Sequence, residues 1–135
     1  MKPVFADSYF YLALLNPRDS GRELAKESAK AFNGRIVTSH WVLTEVADAM
    51  CRTSDRGRFV QFFKAVSASS TLAIVAADKS HFSRGIELYA SRSDKAWSLT
   101  DCISFVIMNE LGLIEAFTAD AHFAQAGFTP LLMRS

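Results

Sequence analysis

The segment SLTDCISFVIMNELGLIEAFTAD, residues 98–120, reads as a helix followed by a short buried strand. Ser98 and Asp101 have the spacing of a capping box, apolar residues recur at helical intervals through Leu111, and Gly112 supplies the stop. Ile114 to Thr118 then forms a strand that halts at Asp120. A helix feeding a strand is the repeating unit of an α/β domain, and the same alternation continues toward both termini.

Toward the N-terminus, Lys2 to Ala6 is a short apolar strand ending at Asp7, and Ser8 to Leu15 is a helix closed by Asn16-Pro17. Ser20-Gly21-Arg22-Glu23 resembles a second capping box, opening a helix to Phe32 that Asn33-Gly34 stops. Arg35 to Thr38 is a strand. Ser39 caps the next helix, in which Trp41, Val42, Glu45, Val46, Ala49 and Met50 share a stripe. A helix from about Arg56 to Ala68 is expected to pack Phe59, Phe62, Phe63 and Val66 inward. Thr71 to Ala76 is a β-branched strand, and Asp78 caps a helix through Tyr89. Toward the C-terminus, a turn or short helix surrounds His122, and a last strand falls near Thr129 to Met133. The pattern predicts one α/β domain over residues 1–135 with a mainly parallel sheet, whose ligands bind beyond the carboxyl ends of the strands.

Composition agrees with that reading. With 135 residues, 50% hydrophobic and 21% charged, the chain is no fibre, disordered tail or disulfide scaffold. Such a length buries roughly two thirds of the unfolded surface, so a metal is not needed to hold the fold. Cys51 and Cys102 sit in apolar helical patterns as free thiols, which fits a reducing compartment. No apolar run is long enough to cross a bilayer, so no membrane partner and a cytoplasmic location are expected.

Asp7 and Asp120 fall at strand ends, while Glu45 and Asp101 fall near helix starts on the same expected edge of the sheet. Converging carboxylates repel unless a cation neutralises them, and oxygen donors favour Mg²⁺ or Mn²⁺. Such an ion lowers the pKa of water, so phosphodiester hydrolysis proceeds with no His or Cys nucleophile and no covalent intermediate. The charge balance is 15 basic against 14 acidic residues, and without these four acids it is 15 against 10. A basic body around an acidic pocket suits a nucleic acid, although omitting any four acids leaves the same balance.

Each residue also has a plainer use. Asp101 completes a capping box, Asp7 and Asp120 are ordinary strand-end residues, and Glu45 faces solvent if its helix rotates by one position. His40, His81 and His122 share no ligand spacing; His122 alone lies near the site, where packing or hydrogen bonding near the strand end is favoured over a contact to substrate phosphate. Trp41 and Trp97 read as packing residues beside helix starts. Arg52, Arg56 and Arg58 read as a solvated loop face.

Three segments together resemble the PIN-domain nucleases, specifically the VapC-type toxin ribonucleases of bacterial toxin–antitoxin pairs. They are Phe5-Ala6-Asp7-Ser8 with Ala13-Leu14; Val42-Leu43-Thr44-Glu45-Val46; and Trp97-Ser98-Leu99-Thr100-Asp101-Cys102 leading to Phe117-Thr118-Ala119-Asp120-Ala121-His122-Phe123. The resemblance implies a three-layer α/β/α sandwich with Asp7, Glu45, Asp101 and Asp120 as catalytic, metal-binding acids. Ser8 and Thr100 match hydroxyl positions beside them, and Asp94 and His122 are auxiliary candidates. It further implies one or two Mg²⁺ or Mn²⁺ ions, endoribonuclease activity, a homodimer and a cognate antitoxin that blocks the groove. A solitary RNA-processing nuclease, a non-catalytic RNA- or protein-binding module, and a phosphatase or DNA-directed nuclease are the alternatives.

Overall fold

The computed structural model describes residues 2–133. In chain order the elements are β1 (Val4–Ala6), α1 (Ser8–Leu15), α2 (Arg22–Ala31), β2 (Ile36–Ser39), α3 (His40–Ala49) and α4 (Arg56–Ala68). They continue with β3 (Leu72–Val75), α5 (Lys79–Ser91), α6 (Leu99–Leu111), β4 (Glu115–Phe117), α7 (Ala121–Gln125) and β5 (Thr129–Pro130). All strand pairs are parallel, and the sheet order is β3-β2-β1-β4-β5. Val4, Phe5 and Ala6 of the central strand are fully buried. Successive strand residues point to opposite faces, so both faces of β1 are covered and the architecture is an α/β/α sandwich.

Strand order sets the site. The chain leaves β1 for β2 and β3 on one side, then crosses back through α5 and α6 to add β4 and β5 on the other. The carboxyl ends of β1 and β4 flank that reversal, where open parallel sheets form their binding crevice. The register places Phe5 against Ala116 and Ala6 against Phe117, which brings Asp7 and Thr118 side by side. On the far side Thr38 Oγ1 donates to the Ala6 carbonyl at 2.9 Å, tying β2 to the same edge.

Aromatic rings lock the surrounding helices. Phe105 of α6 lies 5.1 Å from Trp97, 5.0 Å from Phe123 and 5.5 Å from Phe128, centroid to centroid. This cluster joins the start of α6 to α7. Gly112 ends α6 at φ 68°, a left-handed conformation that glycine adopts at little cost, and the Leu113 amide donates to Met108 O at 2.8 Å.

Four sequence expectations change. The Ser20 capping box does not form: Gly21 is the N-cap of α2 without a side-chain bond, and its amide donates instead to Asp19 Oδ1 at 2.7 Å. An Asp accepting from the amide two residues on is a tight local turn, and it takes the role the Ser was expected to fill. Phe63 is 40% exposed, because α4 meets the core only along Phe59 and Phe62. Cys51 is exposed beyond the end of α3, whereas Cys102 is buried. The last strand is shorter than expected, yet Leu131 and Leu132 amides still donate to Ala116 and Thr118 carbonyls.

Helix α5 packs directly on α6, with Gly85 against Ile103. A Cβ on Gly85 would collide with Ile103 Cγ1 and lie 3.3 Å from its Cα, while one on Gly57 would meet nothing within 4 Å. Gly85→Ala is therefore expected to destabilise by about 1–3 kcal/mol through overpacking. Gly57→Ala should stabilise by about 0.5–1 kcal/mol through helix propensity alone. Chemical denaturation of both variants checks the pair.

Candidate active site

Asp7 follows β1 and holds the N-cap position of α1, yet its side chain makes no capping bond. It accepts instead from Thr118 Oγ1 at 2.9 Å. Only 4% of Asp7 is exposed. Burial lifts its carboxyl to about 7, and the charges of Asp101 and Glu45 push the same way against the Thr118 hydroxyl and the Ser8 amide.

Thr118 is fully buried and acts as a two-way link, since its oxygen also accepts from the Asp120 amide at 3.0 Å. One hydroxyl thus fixes Asp7 and the backbone leading into α7. Asp120 caps α7, accepting from the His122 amide at 2.9 Å. Thr118 was quoted in the sequence motif without a role; the signal was a hydroxyl at a strand end two residues before an acid.

Asp101 sits in the first turn of α6 and completes the expected capping box. Its amide donates to Ser98 Oγ at 3.0 Å, and its Oδ2 accepts from the Ser98 amide at 3.2 Å. That same Oδ2 lies 3.1 Å from His122 Nδ1, which is also 3.4 Å from Asp120 Oδ1. Burial raises the Asp101 pKa, the Ser98 amide and His122 oppose the rise, and the Asp120 charge adds to it. Donor atoms of Asp101, Asp120 and His122 all lie within 4.8 Å of one another.

Glu45 reaches the cluster from α3, whose start is fixed by Ser39 accepting from the Val42 amide at 3.1 Å. The Ser8 hydroxyl donates to Glu45 Oε1, joining α1 to α3 beside Asp7. Burial raises the Glu45 pKa, helped by Asp101, Asp120 and Asp48. The structure therefore brings Asp7, Glu45, Asp101, Asp120, Ser8 and His122 into one neighbourhood. Thr100 is half-buried on the first turn of α6 and makes no side-chain hydrogen bond among the described residues. Asp94 instead forks the Arg92 guanidinium at 2.9 and 3.0 Å in the loop before α6.

Among the described residues, no Lys or Arg forms an ion pair with any of these four acids. A buried carboxylate without a cationic partner is expensive to ionise. Asp7 is about 3.9 in an unfolded chain and about 7 here, so between those pH values the folded state holds the proton that the unfolded state has released. Stability of the metal-free protein should fall as pH rises through that window, by about 1.4 kcal/mol per unit of pKa difference. Thermal melts in chelator should show Tm dropping from pH 5 to pH 7.5, and Asp7→Asn should flatten the drop and raise Tm at pH 7.5.

The PIN domain family matches residues 4–129. The 23S rRNA-specific endonuclease VapC20 of Mycobacterium tuberculosis, in strains CDC 1551 / Oshkosh and H37Rv, is 25% identical over 125 residues, 93% of this chain and 95% of that protein. The crystal structure of M. tuberculosis VapC20, described as a sarcin–ricin loop cleaving toxin, superposes with a TM-score of 0.86 at 24% identity, covering 93% of this chain and 96% of that one. FitAcB from Neisseria gonorrhoeae gives a TM-score of 0.63 at 12% identity over 94% of each chain. The two solved structures share the parallel-sheet sandwich seen here, and the match of the family over nearly all the described residues makes this chain a member of the PIN domain family.

Proposed function

We propose that this chain is a divalent-cation-dependent endoribonuclease, the toxin of a toxin–antitoxin pair, acting on structured ribosomal RNA. The observation that carries the reading is the convergence of four carboxylates from separate elements at the switch point of the sheet, with no Lys or Arg paired to them among the described residues. The activity printed for the VapC20 relative, cleavage specific to 23S rRNA, supports it.

The residues suit a hard or borderline cation. Asp7 is buried beyond the reach of bulk water and lacks a counter-charge, and carboxylate oxygens with one imidazole nitrogen are the donors at hand. Asp7, Asp101 and Asp120 would hold Mg²⁺ or Mn²⁺, which when bound supplies charge for the scissile phosphate and acidifies water. Thr118 keeps the Asp7 carboxylate aimed inward. Glu45, half-buried with a raised pKa and steadied by the Ser8 hydroxyl, is suited to orient the attacking water and take up its proton. His122, with Nδ1 3.1 Å from Asp101 Oδ2, positions that carboxylate.

A toxin role requires protein partners as well. Phe82, Ile86 and Tyr89 are exposed along α5, and Val60 and Phe63 along α4. Uncovered apolar stripes of this kind suit a homodimer and a cognate antitoxin. Among the described residues, no helix is long and apolar enough to cross a membrane.

Purified protein incubated with 23S rRNA, and with DNA of matching sequence, should cut only the RNA, with Mn²⁺ or Mg²⁺ and not with chelator. DNA cleavage, or RNA cleavage that survives chelation, sinks the reading. Asp7→Asn and Asp101→Asn should remove cleavage while the circular-dichroism spectrum stays unchanged. Thr118→Val should lower it roughly 10- to 100-fold, the usual cost of losing a partner that orients a ligand, and Thr118→Ser should restore most of it.

A further inference from the structure

The loop between α5 and α6 carries a second chemical arrangement, outside the acid cluster. Arg92 Cζ lies over the Trp97 ring, 5.1 Å from its centroid. In the plane of the guanidinium, Nε and Nη2 donate to the two Asp94 oxygens at 2.9 and 3.0 Å. Trp97 is itself buried and anchored, its Nε1 donating to Gln125 Oε1 of α7 at 3.0 Å. The guanidinium thus lies over an indole and is held along one edge by a carboxylate. About 41% of the Arg92 side chain nevertheless stays exposed.

That exposed part lines a cavity of about 510 Å³, together with Tyr89, Ser93, Lys95, Trp97 and Cys102. The volume lies within the roughly 300–1,000 Å³ typical of ligand pockets. Two lining residues are sequence neighbours of the acid cluster: Cys102 follows Asp101, and Trp97 precedes Ser98, whose amide donates to Asp101.

We propose that Arg92, clamped between Trp97 and Asp94, is a stacking platform for an unpaired nucleobase of the RNA substrate. The inference rests on the ribonuclease reading for the identity of the ligand. Asp94 occupies the Nε–Nη2 edge of the guanidinium and offsets its charge, which weakens the pull of Arg92 on a phosphate although its remaining N–H groups stay free. Part of the group stays exposed beyond Trp97, and Arg planes stack unpaired bases as aromatic rings do. Lys95, in the same cavity, offers an ammonium to the phosphate of that nucleotide. The hydrogen bonds from Arg92 also hold Asp94 ionised, its pKa lowered to about 2, so the clamp persists across the working pH range.

The test is an NMR titration of the full chain in chelator, following the Arg92 Nε–H and Trp97 Nε1–H signals. The probe is adenosine 5′-monophosphate, with ribose 5-phosphate as the control lacking a base. Adenosine 5′-monophosphate should shift both signals and ribose 5-phosphate neither. Arg92→Lys, which keeps the charge and removes the plane, should abolish the shift at Trp97 and raise the KM for RNA cleavage roughly tenfold at unchanged kcat. Equal shifts with both ligands, no shift with either, or an undiminished response in Arg92→Lys overturns the proposal. The titration involves no bond cleavage, so a chain that cuts no RNA but responds to the nucleotide loses the nuclease reading and keeps the base site.

Discussion

Parallel pairing of β1 with β4 is the constraint from which the rest follows. It joins residues more than a hundred positions apart, and it is sealed past the last strand residues by the Thr118 hydroxyl bonding to Asp7 across a sequence separation of 111. Contacts of that range carry a loop-closure cost that contacts within one helix do not. Asp7, Thr118 and Asp120 come together as a result of completing the sheet rather than by local sequence.

Orientation of the helices supplies the remaining acids. Asp101 depends on where α6 begins, which the Ser98 cap decides, and on how α6 leans, which the Phe105 ring cluster decides. Glu45 depends on Ser39, the last residue of β2 and the cap of α3. In both cases a serine at a helix start and a buried apolar stripe place a carboxylate that neither would tolerate alone. Apolar packing is strong enough here to force like charges into proximity, and the raised pKa values of Asp7, Glu45 and Asp101 register that strain electrostatically.

Much of this was legible in the chain. Hydrophobic periodicity and the caps at Ser39, Asp78 and Ser98 located the helices, because caps depend on neighbours within one turn. The Ser20 box misled because two overlapping local turns competed and the Asp19 turn won. Phe63 misled because helical spacing tells which residues share a face, not how wide a face the core covers. Four acids could be listed from their settings at strand ends and helix starts, whereas the Thr118 link and the His122 position depend on the β1–β4 register, which no local pattern encodes. Asp94 is an auxiliary candidate by resemblance alone, and its pairing with Arg92 follows from the fold of the loop before α6.

A carboxyl group that keeps its proton close to neutrality has to surrender it before an ion can take its place. In the metal-binding role proposed for Asp7, ion uptake and proton release would be two sides of one exchange. Mild acidification would then act as a competitor for the same oxygen, throttling the centre without any change of shape, and a richer supply of ion would reverse it.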